Sequence, residues 1–425
     1  MANLPTPQPS ERILKYEQLG MGLYVHWGLF SQLEKGEWAY ERAQVAGKTT
    51  PEEYKKLKDT FTAEDFDADA LAKFAKDNGF TYITMTTKHH EGFALYDTCG
   101  INNDDNFDAV HSPAKRDLIR EYVDACWANG IRPHFYFPTY EWFKDAGMDD
   151  DWQGHLDYIT RNVELLCKNY GKIGGFMFDG NWCRPNADWK LEELYGMIHR
   201  YQPDAVIINN TGMSARGQIS SMEIDAVTYE DAPAAPMVRS GMPKYFSGEM
   251  HITVNDHWGV ARNDINYKSP IKLIEDICNC RKNGANILIN IGLEPQGGIV
   301  PYQRELLKLV GLWMKYFGEA IYNGRPYTCF SDSRGFIMKS VNEDCLYICC
   351  FDFGTLGSTN VFSGTKRVGW HTFRRVRQKV KRVTWMDSGE ELEFDWNPET
   401  FLVNLVGQPY GTSFGVRVAK VELEK

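Results

Sequence analysis

Residues 174–182 read Gly-Gly-Phe-Met-Phe-Asp-Gly-Asn-Trp, a short apolar run that ends on one carboxylate, Asp179. Strands of a (β/α)8 barrel are buried on both faces and read as unbroken apolar segments. The residue at the C-terminal end of each strand points into the mouth of the barrel. Asp179 would occupy such an end, which makes it a candidate catalytic acid. It could equally cap the next helix or order a β-turn with Gly180, so the choice depends on how neighbouring segments end.

Seven further segments read as buried strands and alternate with helical patterns. The eight predicted strands are residues 23–26, 81–87, 133–137, 175–178, 205–208, 226–229, 244–246 and 286–291. Strands that alternate with helices predict a parallel sheet, and eight of them favour a closed barrel over an open doubly wound sheet. No Gly-x-Gly-x-x-Gly follows the first strand and no Walker loop is present, which argues against dinucleotide and P-loop chemistry.

Apolar residues at helical spacing predict helices at 66–78 and 301–317, and Ser112-Pro113 reads as the start of a helix that ends at Gly130. Beyond residue 326 the pattern changes to short alternating runs at 336–339, 346–351, 382–385, 392–396, 401–405 and 414–421. These runs predict a small antiparallel β-sandwich. We therefore expect a catalytic (β/α)8-like barrel domain at residues 1–328 and a β-sandwich domain at 329–425.

Composition narrows the classes of partner. The 425 residues are 43% hydrophobic and 24% charged, as in soluble globular proteins, and the formal net charge is -10. No long stripe of Lys and Arg is available to neutralise phosphates, so we expect neither nucleic acid nor an anionic membrane as partner. A neutral substrate fits best, and the sequence leaves a homo-oligomer open.

The spacing of the cysteines and the polar residues at the start of the chain indicate the cellular location of the protein. The ten cysteines show no paired Cys-x-x-Cys spacing, which favours buried free thiols over disulfides or a zinc site. Residues 1–20 contain no apolar segment typical of a signal peptide or a transmembrane span. These patterns predict a cytoplasmic location.

Histidines follow two of the predicted strands, in His26-Trp27-Gly28 and in Lys88-His89-His90-Glu91. Three such rings could bind a metal, but the His-x-His pair that places two rings on one side of a strand is absent from the sequence. Neutral imidazoles that bind sugar hydroxyls fit better, because each ring nitrogen can serve a different hydroxyl. We therefore expect no metal and no organic cofactor, and we keep a metal-dependent barrel hydrolase as the alternative.

Carboxylates beside aromatic residues follow the first and third predicted strands, at Glu37-Trp38 and at Tyr136 with Glu141-Trp142. An aromatic surface beside a hydrogen-bonding acid is typical of sugar sites, although each pair also occurs by chance. If Asp179 is a glycosidase nucleophile, a second carboxyl group must lie about 5 to 5.5 Å away.

The candidates for that second carboxyl group lie near later strand ends: Glu230, Asp231 and Glu249. Sequence spacing alone does not separate them.

Eight motifs together resemble the α-L-fucosidases of glycoside hydrolase family 29, and they stand in the order in which that family has them. They are His26-Trp27-Gly28, Glu37-Trp38, Thr87-Lys88-His89-His90-Glu91-Gly92-Phe93, Arg116-Asp117-Leu118, Phe178-Asp179-Gly180, Gln202-Pro203-Asp204-Ala205, Ile207-Ile208-Asn209-Asn210 and Gly318-Glu319-Ala320-Ile321-Tyr322. A β-sandwich after the barrel is also a property of that family.

The resemblance implies retaining hydrolysis of terminal α-L-fucose through a covalent fucosyl-enzyme, with Asp179 as the nucleophile. It further implies that the sugar is contacted by His26, Glu37, Trp38, His89, His90 and Tyr136. A non-catalytic fucose-binding protein is a second alternative, and the presence of both Asp179 and Glu249 argues against it. Fucose carries a methyl group in place of a 6-hydroxyl, so we expect an apolar wall at Phe93 or Trp182.

The acid/base is placed by a weaker match. One subgroup of the family has it as the Glu of a Trp-Glu-x-Cys-x-Thr-like segment, followed by Trp-Gly-Tyr. Glu249, with Trp258 as a further substrate contact, matches that pattern in part, with Gly248 in place of Trp and Val260 in place of Tyr. Glu249 is therefore the predicted acid/base, with Glu230 and Asp231 as alternatives. Met177 stands where the family usually has Trp.

Overall fold

Eight parallel strands close into a barrel in which each strand lies beside the next along the chain and β1 also pairs with β8. The strands are β1 (Met21–His26), β2 (Tyr82–Thr86), β3 (Arg132–Pro138), β4 (Gly175–Asp179), β5 (Val206–Asn209), β6 (Ala226–Glu230), β7 (Ser247–Thr253) and β8 (Ala285–Gly292). This closed barrel confirms the predicted fold class.

The structure is a computed structural model that describes residues 5–101, 106–144, 148, 150–351, 369–405 and 415–424. The chain divides into two compact units. The first consists of Met1–Ala234, Val238–Tyr267 and Asn286–Glu305, and the second of Ala235–Met237, Lys268–Ala285 and Leu306–Lys425. The domain boundary at residue 328 stays a prediction.

The helices are α1 (Glu11–Glu17), α2 (Ala39–Val45), α3 (Pro51–Lys55), α4 (Ala68–Asp77), α5 (Leu118–Asn129), α6 (Trp152–Asn169), α7 (Leu191–Tyr201), α8 (Pro270–Lys282) and α9 (Pro301–Asn323). The predicted helix start at Ser112-Pro113 was wrong. Helix α5 begins at Leu118, because the Asp117 carboxylate accepts a hydrogen bond of 2.9 Å from the Arg120 N–H and caps it. None of the described helices is long and apolar enough to cross a membrane.

One predicted barrel strand was misplaced, and the error affects the site. The segment 244–246 is not a strand; β7 begins at Ser247, and all seven of its residues are buried. Glu249 therefore lies in the middle of a strand instead of at its end. Because side chains alternate across a strand, Glu249 and His251 share one face, with Glu249 the deeper of the two.

The second unit contains two antiparallel sheets, of strand order β10-β13-β16-β15 and β14-β17-β12-β11-β9. Their strands are β9 (Gly324–Pro326), β10 (Phe330–Ser331), β11 (Phe336–Ser340), β12 (Cys345–Cys350), β13 (Trp370–Arg374), β14 (Val380–Trp385), β15 (Phe394–Asn397), β16 (Thr400–Asn404) and β17 (Arg417–Leu423). Apolar side chains of both sheets, such as Ile348 and Phe401, form one buried core. This arrangement is the predicted β-sandwich.

Candidate active site

The C-terminal ends of the barrel strands surround a pocket of about 490 Å³. Six predicted site residues line it: His26, Trp38, His89, His90, Asp179 and Trp258. Glu230 and Asp231, the alternatives for the acid/base, line it as well. The first unit thus brings most of the predicted site together at the end of the barrel where barrel enzymes carry out chemistry.

Asp179, at the end of β4, is surrounded by hydrogen-bond donors. The Tyr136 hydroxyl donates to Oδ2 at 2.9 Å, and Oδ1 accepts from the Trp182 indole at 2.7 Å and from the Asn210 amide at 3.1 Å. The His90 Nε2 lies 3.3 Å from Oδ2. Burial alone would raise the pKa of this carboxyl, but the donors outweigh it and lower the pKa to about 2.

Local sequence explains how Trp182 reaches Asp179. Gly180 has φ +116°, and a Cβ there would lie 2.6 Å from the Tyr140 backbone nitrogen, so the turn requires glycine. The chain then enters a short 3₁₀ helix, Asn181–Cys183, which folds the indole back over the carboxylate.

The Asn210 side chain bridges two of the three acidic residues that line the pocket, Asp179 and Glu230. Its amide nitrogen donates to Glu230 Oε2 at 2.8 Å and to Asp179 Oδ1 at 3.1 Å. Its carbonyl oxygen accepts from the Gly212 N–H at 3.0 Å and from the Thr228 hydroxyl at 3.2 Å. These two donors fix the orientation of the amide, so that its nitrogen faces both carboxyl groups.

Glu230, the last residue of β6, is partly exposed to the pocket. Burial and then the negative charge of Asp179 raise the pKa of Glu230 to about 6, and the Asn210 hydrogen bond offsets only part of this effect. The pocket therefore holds one carboxyl group that stays ionised and one that keeps its proton at mildly acidic pH.

Glu249, the predicted acid/base, does not line the pocket and has no exposed surface. Its Oε2 accepts from the hydroxyls of Tyr16 at 2.5 Å and Tyr82 at 2.7 Å, and its Oε1 lies 2.8 Å from His251 Nε2. Burial opposes ionisation, but the hydrogen bonds from His251 and the two tyrosines hold the pKa of Glu249 below its ordinary value. Glu249 is therefore an anion beneath the pocket.

Two predicted sugar contacts lie one layer behind the lining residues. Glu37 Oε2 accepts from the backbone N–H groups of Trp258 at 3.0 Å and Gly259 at 2.8 Å, which fixes the loop that carries the Trp258 ring. Tyr136 is 1% exposed, and its hydroxyl donates to Asp179. Both residues position the lining groups.

His26 is held in one tautomer. The Asn290 amide nitrogen donates to the Trp258 carbonyl at 2.7 Å, so the Asn290 Oδ1 faces His26 Nδ1 at 2.6 Å and accepts a hydrogen bond from the Nδ1–H of the ring. Burial lowers the pKa of His26 to about 3, and it also lowers the pKa of His89 well below the ordinary value. Burial therefore favours the neutral form of both rings, and their binding to sugar hydroxyls stays a prediction.

Aromatic rings form the walls. The Trp38 ring lies 5.3 Å from the His90 ring, and the Trp258 ring lies 5.3 Å from the His26 ring. Of the two residues expected to form an apolar wall, Trp182 lines the pocket, whereas Phe93 is fully buried.

Sequence reasoning missed Asn210 and His251 as members of the site. Asn210 follows β5, a strand-end position that could have drawn attention. His251 belongs to the alternation Glu249, His251, Thr253 along β7, a period of two that indicates one shared face. Among the described residues, no group of three or more His, Cys, Asp or Glu side chains is arranged to hold a metal ion.

Comparison with known proteins identifies the family. The family model of α-L-fucosidases matches residues 7–319. The tissue α-L-fucosidase of Rattus norvegicus is 26% identical over 422 residues, which cover 93% of this chain and 86% of the relative. The tissue α-L-fucosidase of Bos taurus is 27% identical over 75% of this chain and 70% of its own.

Solved structures show the same fold. The α-L-fucosidase isoenzyme 1 from Paenibacillus thiaminolyticus superposes with a TM-score of 0.81 at 28% identity and covers 98% of this chain and 99% of its own. A GH29 α-L-fucosidase from Bacteroides thetaiotaomicron, trapped as a covalent intermediate with 2-fluoro-fucosyl fluoride, superposes with a TM-score of 0.81 at 21% identity, over 99% of this chain and 98% of its own. The chain belongs to the α-L-fucosidase family of glycoside hydrolases.

Proposed function

We propose that this protein hydrolyses terminal α-L-fucosides with retention of configuration, with Asp179 as the nucleophile and Glu230 as the acid/base. The bridging amide of Asn210 is the observation that carries the proposal. Because Asp179 Oδ1 and Glu230 Oε2 lie 3.1 and 2.8 Å from one nitrogen, they lie less than about 6 Å apart. Inverting glycosidases need a wider gap, roughly 6.5 to 9.5 Å, to hold a water molecule.

The pKa values of the two carboxyl groups support Asp179 as the nucleophile and Glu230 as the acid/base. Asp179, with a pKa of about 2, is ionised and has an electron pair for the anomeric carbon. Glu230, with a pKa raised to about 6 by burial and the nearby Asp179 charge, holds the proton that the leaving oxygen needs. A covalent intermediate trapped in the Bacteroides fucosidase supports a mechanism of this kind.

In the first step an Asp179 oxygen forms a bond to the anomeric carbon, the glycosidic bond breaks, and Glu230 protonates the departing oxygen. The fucosyl ester removes the charge of Asp179, which is a main cause of the raised Glu230 pKa, so the pKa of Glu230 falls. In the second step Glu230 takes a proton from water, the oxygen of that water bonds to the anomeric carbon, and Asp179 leaves as a carboxylate.

Glu230 fits the acid/base role better than Glu249 because of position and charge. Glu249 lies beneath the pocket, with its pKa below the ordinary value, so it has no proton to donate and no access to the leaving oxygen. Asp231 lines the pocket, but the Asn210 bridge joins Asp179 to Glu230.

The remaining groups suit a neutral, hydroxyl-rich ring. The neutral rings of His26 and His89 offer hydrogen bonds to hydroxyls, and Trp38, Trp182 and Trp258 offer apolar surfaces. We propose that Trp182 meets the methyl group of fucose. The cytoplasmic location stays a prediction from sequence.

The test is the stereochemistry of turnover. ¹H NMR would follow p-nitrophenyl α-L-fucoside and identify the fucose anomer that appears first. We expect α-L-fucose before mutarotation. The β anomer as first product would overturn the retaining mechanism, and failure to hydrolyse this substrate or any fucosylated oligosaccharide would overturn the fucosidase activity.

A further inference from the structure

Strand β7 supplies a buried carboxylate and an imidazole that the two-step mechanism does not use. Glu249 and His251 stand two residues apart on the inner face of the strand, and Glu249 Oε1 lies 2.8 Å from His251 Nε2. Their exposures are 0% and 1%. The pair connects the floor of the barrel to the pocket, because His251 lines the pocket and Glu249 lies below it.

Glu249 fixes a proton on Nε2 of the His251 ring, the nitrogen that faces the carboxylate. An ionised carboxylate can only accept hydrogen bonds, and its other oxygen already accepts from Tyr16 and Tyr82. His251 Nε2 must therefore carry the hydrogen of the 2.8 Å contact. A bond of this kind between imidazole and carboxylate holds the ring in one tautomer and one orientation.

Nδ1, the other nitrogen of the His251 ring, is available to a ligand. His251 Nδ1 makes no hydrogen bond to any residue in the described part of the chain, and the residue lines the pocket. Tyr24, which also lines the pocket, packs edge-on against the ring at 5.7 Å and restricts its rotation. In the sheet, His251 pairs with Glu230, so its ring stands beside the proposed acid/base.

We infer that His251 is a further substrate-contacting residue, whose Nδ1 binds a hydroxyl group of the sugar in the pocket, and that Glu249 is a positioning residue that sets the tautomer of His251. A hydroxyl can donate to a neutral Nδ1 or accept from a protonated one, so the contact forms in either charge state. The inference deepens the proposed function and rests on it.

The test compares p-nitrophenyl α-L-fucoside with its 2-deoxy, 3-deoxy and 4-deoxy analogues. Each missing hydroxyl should lower the kcat/KM of the wild type relative to the parent fucoside. We call this fold loss in kcat/KM the penalty for that hydroxyl. In His251→Phe, which keeps a ring but has no nitrogen, the penalty for one of the three positions should shrink by roughly 10- to 100-fold, as expected for one hydrogen bond to a charged or polarised partner. The other two penalties should stay unchanged.

Glu249→Gln tests the positioning role and keeps His251 in place. The penalty for the same hydroxyl should fall severalfold. A matched control is Glu17→Gln, which alters another buried carboxylate beneath β7, one that accepts from the hydroxyls of Tyr245 and Ser247. All three penalties should survive in the control. Three unchanged penalties in His251→Phe would overturn the contact.

A spectroscopic readout separates this inference from the proposed function. ¹⁵N NMR of the histidine rings should show His251 with a proton on Nε2 in the wild type and a changed tautomer balance in Glu249→Gln. Identical His251 signals in both proteins would overturn the role of Glu249. If the wild type were inactive on the parent fucoside, the proposed function would fail, whereas the tautomer result would still be readable.

Discussion

Glu230 and Glu249 stand on adjacent barrel strands, yet their surroundings differ in every respect that matters for acid/base chemistry. Glu230 ends β6, faces the pocket and takes one hydrogen bond from Asn210, and its pKa is raised to about 6. Glu249 lies mid-strand, takes hydrogen bonds from three side chains, and has a lowered pKa. Depth in the barrel and the number of donors, and not the residue type, decide which glutamate can transfer a proton.

The largest expected effect is at the nucleophile. Asp179→Gly removes the group that bonds to the anomeric carbon, and kcat on p-nitrophenyl α-L-fucoside should fall by about 10⁴-fold or more. The loss should be far greater than for either glutamate variant. Residual turnover within about tenfold of the wild type would contradict the assignment of Asp179.

Glu230→Gln should come next, and its effect should depend on the leaving group. We expect kcat/KM to fall by about 10² to 10⁴-fold on a fucosylated oligosaccharide, whose leaving oxygen needs a proton, and less on p-nitrophenyl fucoside. Steady-state rates on both substrates measure the difference. An equal loss on both would indicate that Glu230 does not act as the acid.

Glu249→Ala should have its main effect on the stability of the fold, in contrast to Glu230→Gln, whose main effect should be on activity. The change leaves Tyr16, Tyr82 and His251 without their shared acceptor in a fully buried site, and it should lower the free energy of unfolding by about 3 kcal/mol. Glu230→Gln, in a partly exposed site, should change it by less than about 1 kcal/mol. Urea denaturation of the two variants tests this contrast.

The smallest expected effect is that of Asn210→Leu on the dependence of kcat/KM on pH. A protonated Glu230 is needed for the first step, so kcat/KM should fall as pH rises through about 6. Asn210→Leu removes a donor that favours the ionised form, so the pKa of Glu230 should rise and this limb should move to higher pH, with roughly a tenfold loss in rate. A limb that stays in place would contradict the role of the bridge.

The barrel was predictable because its strands are apolar runs between helices, and Asp179 was predictable because it ends such a run. Strand β7 was not found, because its inner face carries Glu249, His251 and Thr253 instead of apolar residues. The predicted strand at 244–246 placed Glu249 near a strand end, which made it one of three candidates for the acid/base, and the partial match to the family's acid/base segment then favoured it over Glu230 and Asp231.

The contacts within the site could not be read from sequence. Asn210, which follows β5, joins Asp179 at the end of β4 to Glu230 at the end of β6, and nothing in the spacing of these residues indicates that one amide reaches both carboxyl groups. The layered position of Glu37, which supports the loop of Trp258 from behind the pocket, likewise depends on how distant segments pack.

Azide rescue tests the assignment of the two glutamates most directly. Glu230→Ala and Glu249→Ala would each be given p-nitrophenyl α-L-fucoside with and without azide, and the products would be identified by NMR. We predict that azide accelerates Glu230→Ala and yields α-L-fucosyl azide, because the anion enters the space of the missing carboxyl group and attacks the fucosyl-enzyme. Rescue of Glu249→Ala, with none for Glu230→Ala, would contradict the account.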